Sequence, residues 1–158
     1  MTKKSLIRLI ISILICQLAG FLGSLFTTPS IPTWYASLQK PSFNPPNWLF
    51  SPVWITLFVL MGISLYLLWE KSLREQKVKK ALIFFAIQLV LNILWSILFF
   101  GLKSPLFAFF EIIVLWAAIL LTIIQSFKIS KIASFLLLPY ILWVSFAAIL
   151  NYFLWNLN

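Results

Sequence analysis

Five stretches of this chain are long and apolar enough to cross a membrane. Leu6 to Phe26, Val53 to Trp69, Ala81 to Phe100, Leu106 to Phe127 and Ala133 to Leu154 each approach or exceed the roughly 20 residues that a helix needs to cross a hydrocarbon core about 30 Å thick. In lipid a helix satisfies its own backbone hydrogen bonds. The fold class expected is therefore an all-α membrane protein, a five-helix transmembrane bundle forming one domain over residues 1–158. Composition agrees, since 63% of the residues are hydrophobic where a soluble chain has about half. Lys3, Lys4 and Arg8 ahead of an apolar core give the first run the look of a signal peptide. Its apolar core is long and no Ala-x-Ala site follows, so it reads as a retained helix. Cys16 lies alone in that run, can form no intramolecular disulfide, and reads as a small buried hydrophobe.

Charge gives the topology. The net charge of +9 comes from 12 Lys and Arg against three acidic residues. These basic residues sit between apolar runs rather than along one soluble face, which excludes nucleic acid as the partner. With five crossings, Lys3, Lys4, Arg8, Lys71, Arg74, Lys77, Lys79, Lys80, Lys128 and Lys131 share one side, and Lys40 and Lys103 lie on the other. The positive-inside rule then predicts a multi-pass cell-membrane protein with a cytoplasmic N-terminus and with the first loop and the C-terminus outside.

The chemistry available is narrow. Histidine is absent and glutamate supplies all three carboxylates, so no Ser-His-Asp triad, His-ligated haem or His-containing zinc site can be built, and no metal site is expected. Glu70 and Glu75 lie among lysines and read as a solvated face. Glu111 falls one turn inside the fourth run, where it can reach the interface and pair with Lys103 or serve a ligand. Uncharged polar and small residues remain. Gln88, Asn92 and Ser96 recur at i, i+4 and i+8, a stripe that must face protein, with Trp95 beside it. Trp143, Ala147, Leu150, Asn151 and Leu154 repeat the spacing on the last run, where Pro139 predicts a bend. Ala19, Gly20, Gly23 and Ser24 allow close helix approach or a concavity on the first. Between the first two runs, Thr27 to Pro52 holds six of the eight prolines, which predicts an ordered connector, either an aromatic interfacial belt or a lid over a cavity.

Three segments carry a family resemblance: WYASLQKPSFNPPNWLFSPVW from Trp34 to Trp54, L-N-x-x-W-x-x-x-F-F-G from Leu91 to Gly101, and P-Y-x-x-W-x-x-F-A-x-x-L-N from Pro139 to Asn151. They resemble the tryptophan-rich sensory protein family, whose animal members are the translocator proteins or peripheral-type benzodiazepine receptors. The resemblance spans essentially the whole chain. It implies a five-helix bundle, commonly a homodimer, with a pocket below the first loop that binds porphyrins and other flat apolar molecules. Carried over residue by residue, the implied ligand-binding set is Gly23, Trp34, Pro45, Trp54, Asn92, Trp95, Phe107, Phe110, Trp143, Phe146, Ala147 and Leu150. Phe107 stands where animal members have tryptophan and Phe110 where they have a small residue, which implies a smaller or differently shaped pocket. Cholesterol is not expected, because Leu150 and Tyr152 are followed by FLWNLN with no basic residue. No cofactor is implied beyond a porphyrin as ligand or substrate. Three functions stay open: receptor or transporter of tetrapyrroles, light- and oxygen-dependent degradation of protoporphyrin IX with Trp54 and Trp143 as the catalytic candidates, and regulatory partnership with another membrane protein.

Overall fold

The structure, a computed structural model, describes residues 2–158 and is all helical among them. Helix α1 runs Lys3–Ser30 and continues as a π-helical turn, Ile31–Tyr35. Helix α2 is Asn47–Trp69, and α3 is Gln76–Ser96 with a second π-helical turn at Ile97–Gly101. Helix α4 is Pro105–Phe127, while the last span is split into a short α5, Lys131–Phe135, and α6, Leu138–Leu157. Five helical spans of 23 to 33 residues are long and apolar enough to cross a membrane, so this is a multi-pass membrane protein. The outward residues match that solvent, with Leu14 60% and Leu18 55% exposed on α1.

The proline-rich connector is shorter than its composition implies. Pro29 and Pro32 lie within the first span and Pro52 within α2, so the loop proper covers only residues 38–46. A proline inside a helix removes one N–H and frees the carbonyl a turn earlier. The spans continue through that loss, Pro32 falling within the π turn itself, and nearby threonines back-bond to the prolines' own carbonyls, Thr33 Oγ1 to Pro29 at 2.9 Å and Thr56 Oγ1 to Pro52 at 2.8 Å. The predicted bend on the last span falls at Leu136 and Leu137, with Pro139 in the opening turn of α6, where its missing N–H has no helical partner to lose.

Small residues set how closely the helices approach. At Gly62 of α2 an added Cβ would lie 2.6 Å from the Ile13 Cα, so α1 and α2 meet backbone to backbone near their basic ends. That end is further tied by Arg8 and Glu70 at 3.0 Å, and Ser64 Oγ donates to the Ala133 carbonyl at 2.8 Å. Helix α4 packs behind α3 and α6, burying Ala108, Ile112, Leu115 and Ile119. The core therefore fills the basic half of the bundle, around Met61, Phe85 and Ile119, and leaves a hollow toward the loop end.

Candidate functional site

That hollow is a cavity of about 370 Å³ walled by α1, α2, α3 and α6. Its size falls within the roughly 300–1,000 Å³ of small-molecule sites. Three indoles, Trp54, Trp95 and Trp143, stand on three different helices of the wall. Gly20 and Gly23 open the α1 side, where an added Cβ would lie 2.5 Å from the Phe58 ring and 3.0 Å from Ser96 Oγ respectively. Among the described residues, no Lys, Arg, Asp or Glu lines it. The interior is therefore apolar and aromatic, with a few uncharged hydrogen-bonding groups to orient what enters.

Those polar groups are held from behind. Asn92 Nδ2 donates to Tyr140 Oη at 2.9 Å, joining α3 to α6 at the cavity floor. Trp95 Nε1 donates to Asn151 Oδ1 at 3.0 Å, and Asn151 Nδ2 donates to the Pro105 carbonyl at 2.8 Å. One buried asparagine thus ties α3, α6 and the start of α4, and it fixes the plane of an indole that also stacks on Phe99 at 5.0 Å. Trp54 lies 5.6 Å from Phe58 and 6.2 Å from Tyr140, and Trp143 packs on Phe50 and Phe146. Both rings are set by aromatic neighbours rather than by hydrogen bonds.

One side of the cavity faces lipid. Its margin there is made by Phe21 and Thr28 of α1 and by Ser51 and Ile55 of α2, all exposed. Phe21 lies near the middle of a 33-residue span, so the opening looks into the bilayer rather than only toward water. Below it the seam is shut by Gln17 Nε2, which donates to the Ile55 carbonyl at 3.0 Å.

Of the twelve residues in the implied ligand-binding set, the structure brings seven to this cavity: Gly23, Trp54, Asn92, Trp95, Trp143, Ala147 and Leu150. Five lie elsewhere. Trp34 turns away, packs edge-on against Phe99 at 5.5 Å and borders a separate crevice with Lys103 and Trp155. Pro45 lies in the loop, where its carbonyl accepts from Asn44 Nδ2 at 3.0 Å. Phe107 and Phe110 are 62% and 60% exposed, because α4 is a back row whose outer face meets the surroundings. Phe146 sits behind Trp143, against Phe43. Glu111 does not pair with Lys103; it is buried, and neither carboxylate oxygen has a partner among the described residues. Gln88 is likewise buried below the cavity without a hydrogen-bond partner. Sequence reasoning missed Tyr35, Phe50 and Gln17 as lining residues, although Gln17, an amide in an apolar run, carried a signal. Lys40 is turned inward, donating to the Ala36 and Leu38 carbonyls with Nζ 4.8 Å from the Tyr35 ring centre.

Comparison with known proteins points one way. The model of the TspO/MBR family matches residues 12–156. The tryptophan-rich protein TspO of Archaeoglobus fulgidus is 49% identical over 154 residues, 98% of this chain and 99% of the relative. The one from Chlorobaculum tepidum is 44% identical over 156 residues, 99% of each chain. The translocator protein of Homo sapiens is 37% identical over 143 residues, 90% of this chain and 85% of the relative.

Proposed function

The chain belongs to the TspO/MBR family, and from that premise we propose that it is a membrane receptor or carrier that takes a tetrapyrrole such as protoporphyrin IX into the cavity. The observation that carries this reading is the set of three indoles on separate walls of a charge-free hollow. A flat macrocycle buries both faces against Trp54, Trp95 and Trp143, and the amide of Asn92 meets a polar edge. Stacking and apolar burial supply the affinity. With no cation on the wall, the propionates project through the opening. Ten of the 12 basic residues lie at the end opposite the loop, so this reading places that end in the cytoplasm and the cavity toward the outside.

Titrating the purified protein with protoporphyrin IX tests the site. Tryptophan fluorescence is expected to quench saturably, and Trp54→Phe and Trp143→Phe are each expected to weaken binding by about threefold to tenfold, the scale of one aromatic pair. Saturable quenching with unchanged affinity in both variants would sink the pocket. A second reading rests on the same indoles. If the bound pigment is degraded with light and dioxygen, illumination in air gives a discrete product whose formation depends on Trp54 or Trp143. Bleaching of the Soret band no different from that of free pigment removes that reading.

A further inference from the structure

We propose that Asn158 is a positioning residue for this site: its side-chain amide latches the α1–α2 loop to α6 and sets how fast the cavity opens at its loop end, apart from the margin that faces lipid. The proposal rests on the reading of the cavity as a ligand site. The loop leaves the first span just after Tyr35, crosses to the end of α6 and returns to the start of α2. It therefore spans three of the four helices that wall the cavity, at the loop end.

Two kinds of contact hold it there. Phe43 packs edge-on against Phe146 at 6.4 Å and Phe153 at 5.3 Å. Asn158 makes the other contact: its Oδ1 accepts from the Gln39 N–H at 2.9 Å and its Nδ2 donates to the Gln39 carbonyl at 3.0 Å. One planar amide thus faces one peptide unit with a donor and an acceptor, as a neighbouring β-strand would. The same Nδ2 donates to the Leu154 carbonyl at 2.8 Å, which uses both of its hydrogens and aims the amide from its own helix. Leu154 also lines the cavity, so the latch is anchored in the wall.

Nothing else in this part of the loop does the same job. Lys40 spends its ammonium on carbonyls of its own segment, and Tyr35 Oη donates to Asn44 within the connector. Among the described residues, the two bonds of Asn158 are the hydrogen bonds that join the loop to α6. Both are exposed to solvent, so their net strength is modest and they open often. Such a latch controls rate rather than folding. Its bonds also fall on the backbone of Gln39, which makes the side chain at 39 irrelevant and the amide at 158 essential.

That asymmetry is the test, made on the full chain in lipid nanodiscs. Hydrogen exchange of the Gln39 amide is expected to speed up about tenfold in Asn158→Leu, the effect of losing two ordinary hydrogen bonds, and to stay unchanged in Gln39→Ala. In stopped-flow mixing with protoporphyrin IX as the probe, association and dissociation are expected to accelerate together by about tenfold in Asn158→Leu while Kd moves by less than about threefold, the signature of a gate. An unchanged Gln39 amide overturns the proposal, as does a freed amide with unchanged rates, the result if the ligand passes only through the margin that faces lipid. A rise in Kd through dissociation alone marks damage to the wall and overturns it too. If the unaltered protein shows no saturable protoporphyrin binding, the ligand reading fails instead, and the gate falls with it while amide exchange still decides the latch.

Discussion

Removing the amide of Asn151 tests whether one buried side chain holds the cavity wall in shape. Asn151→Leu keeps the number and branching of the side-chain heavy atoms and abolishes two hydrogen bonds, the one from Trp95 at 3.0 Å and the one to the Pro105 carbonyl at 2.8 Å. Side-chain hydrogen bonds between membrane helices average about 0.6 kcal/mol and reach about 1.7 kcal/mol. Two of them give an expected loss of roughly 1–3 kcal/mol. Trp95→Phe removes only the first bond and keeps a ring to stack on Phe99, so its loss is roughly 0.6–1.7 kcal/mol. Because the two residues share that bond, the double variant is expected to cost no more than Asn151→Leu alone. The coupling recovered from the cycle equals the worth of one bond. The assay is reversible unfolding in mixed micelles with increasing sodium dodecyl sulfate, followed by helical circular dichroism. Strictly additive losses, or an Asn151→Leu variant within about 0.3 kcal/mol of the original, refute the argument. The ring left in Asn151→Leu has lost the partner that fixes its plane, so protoporphyrin IX affinity is expected to fall alongside stability.

Two further outcomes follow from the packing and from the charge-free wall. Gly62→Leu drives a side chain into the Ile13 backbone, 2.6 Å from an added Cβ, and is expected to cost about 1–3 kcal/mol in the same assay, the usual scale of overpacking; no loss would show that α1 and α2 separate freely there. Because no basic residue lines the cavity, the dimethyl ester of protoporphyrin IX is expected to bind within about threefold of the free acid, and a tenfold preference for the acid would place a cation where the structure has none.

Much of the fold was legible because membrane spans announce themselves by length. Trp95, Asn92, Trp143 and Ala147 were legible for a second reason: polar and aromatic residues at helical spacing must face protein when the other side is lipid. Trp34 was not, and the cause is local. It falls in the π-helical turn Ile31–Tyr35, and a π turn holds more residues than an α turn, which changes which side chain faces inward. Tyr35 reaches the cavity in its place. Phe107 and Phe110 were placed by resemblance alone, although the polar residues Glu111, Thr122, Gln125 and Ser126 mark the buried face of α4 and helical spacing puts Phe110 off that face. The prolines misled about the connector because each costs a helix only one hydrogen bond, and Pro29, Pro32 and Pro52 all lie inside long apolar spans whose burial outweighs that loss, so a count of prolines does not say where a helix ends.

The opening between Phe21 and Ile55 changes what affinity means for this protein. A hollow that is free of charge and borders the bilayer is, thermodynamically, a small volume of structured hydrocarbon in contact with a larger unstructured one. A ligand already dissolved in the membrane loses little by stepping across, and only the indoles and amides of the wall distinguish the two phases. The concentration that governs occupancy is then moles of ligand per mole of lipid. Diluting the same protein and ligand into more bilayer empties the site without any change in the protein.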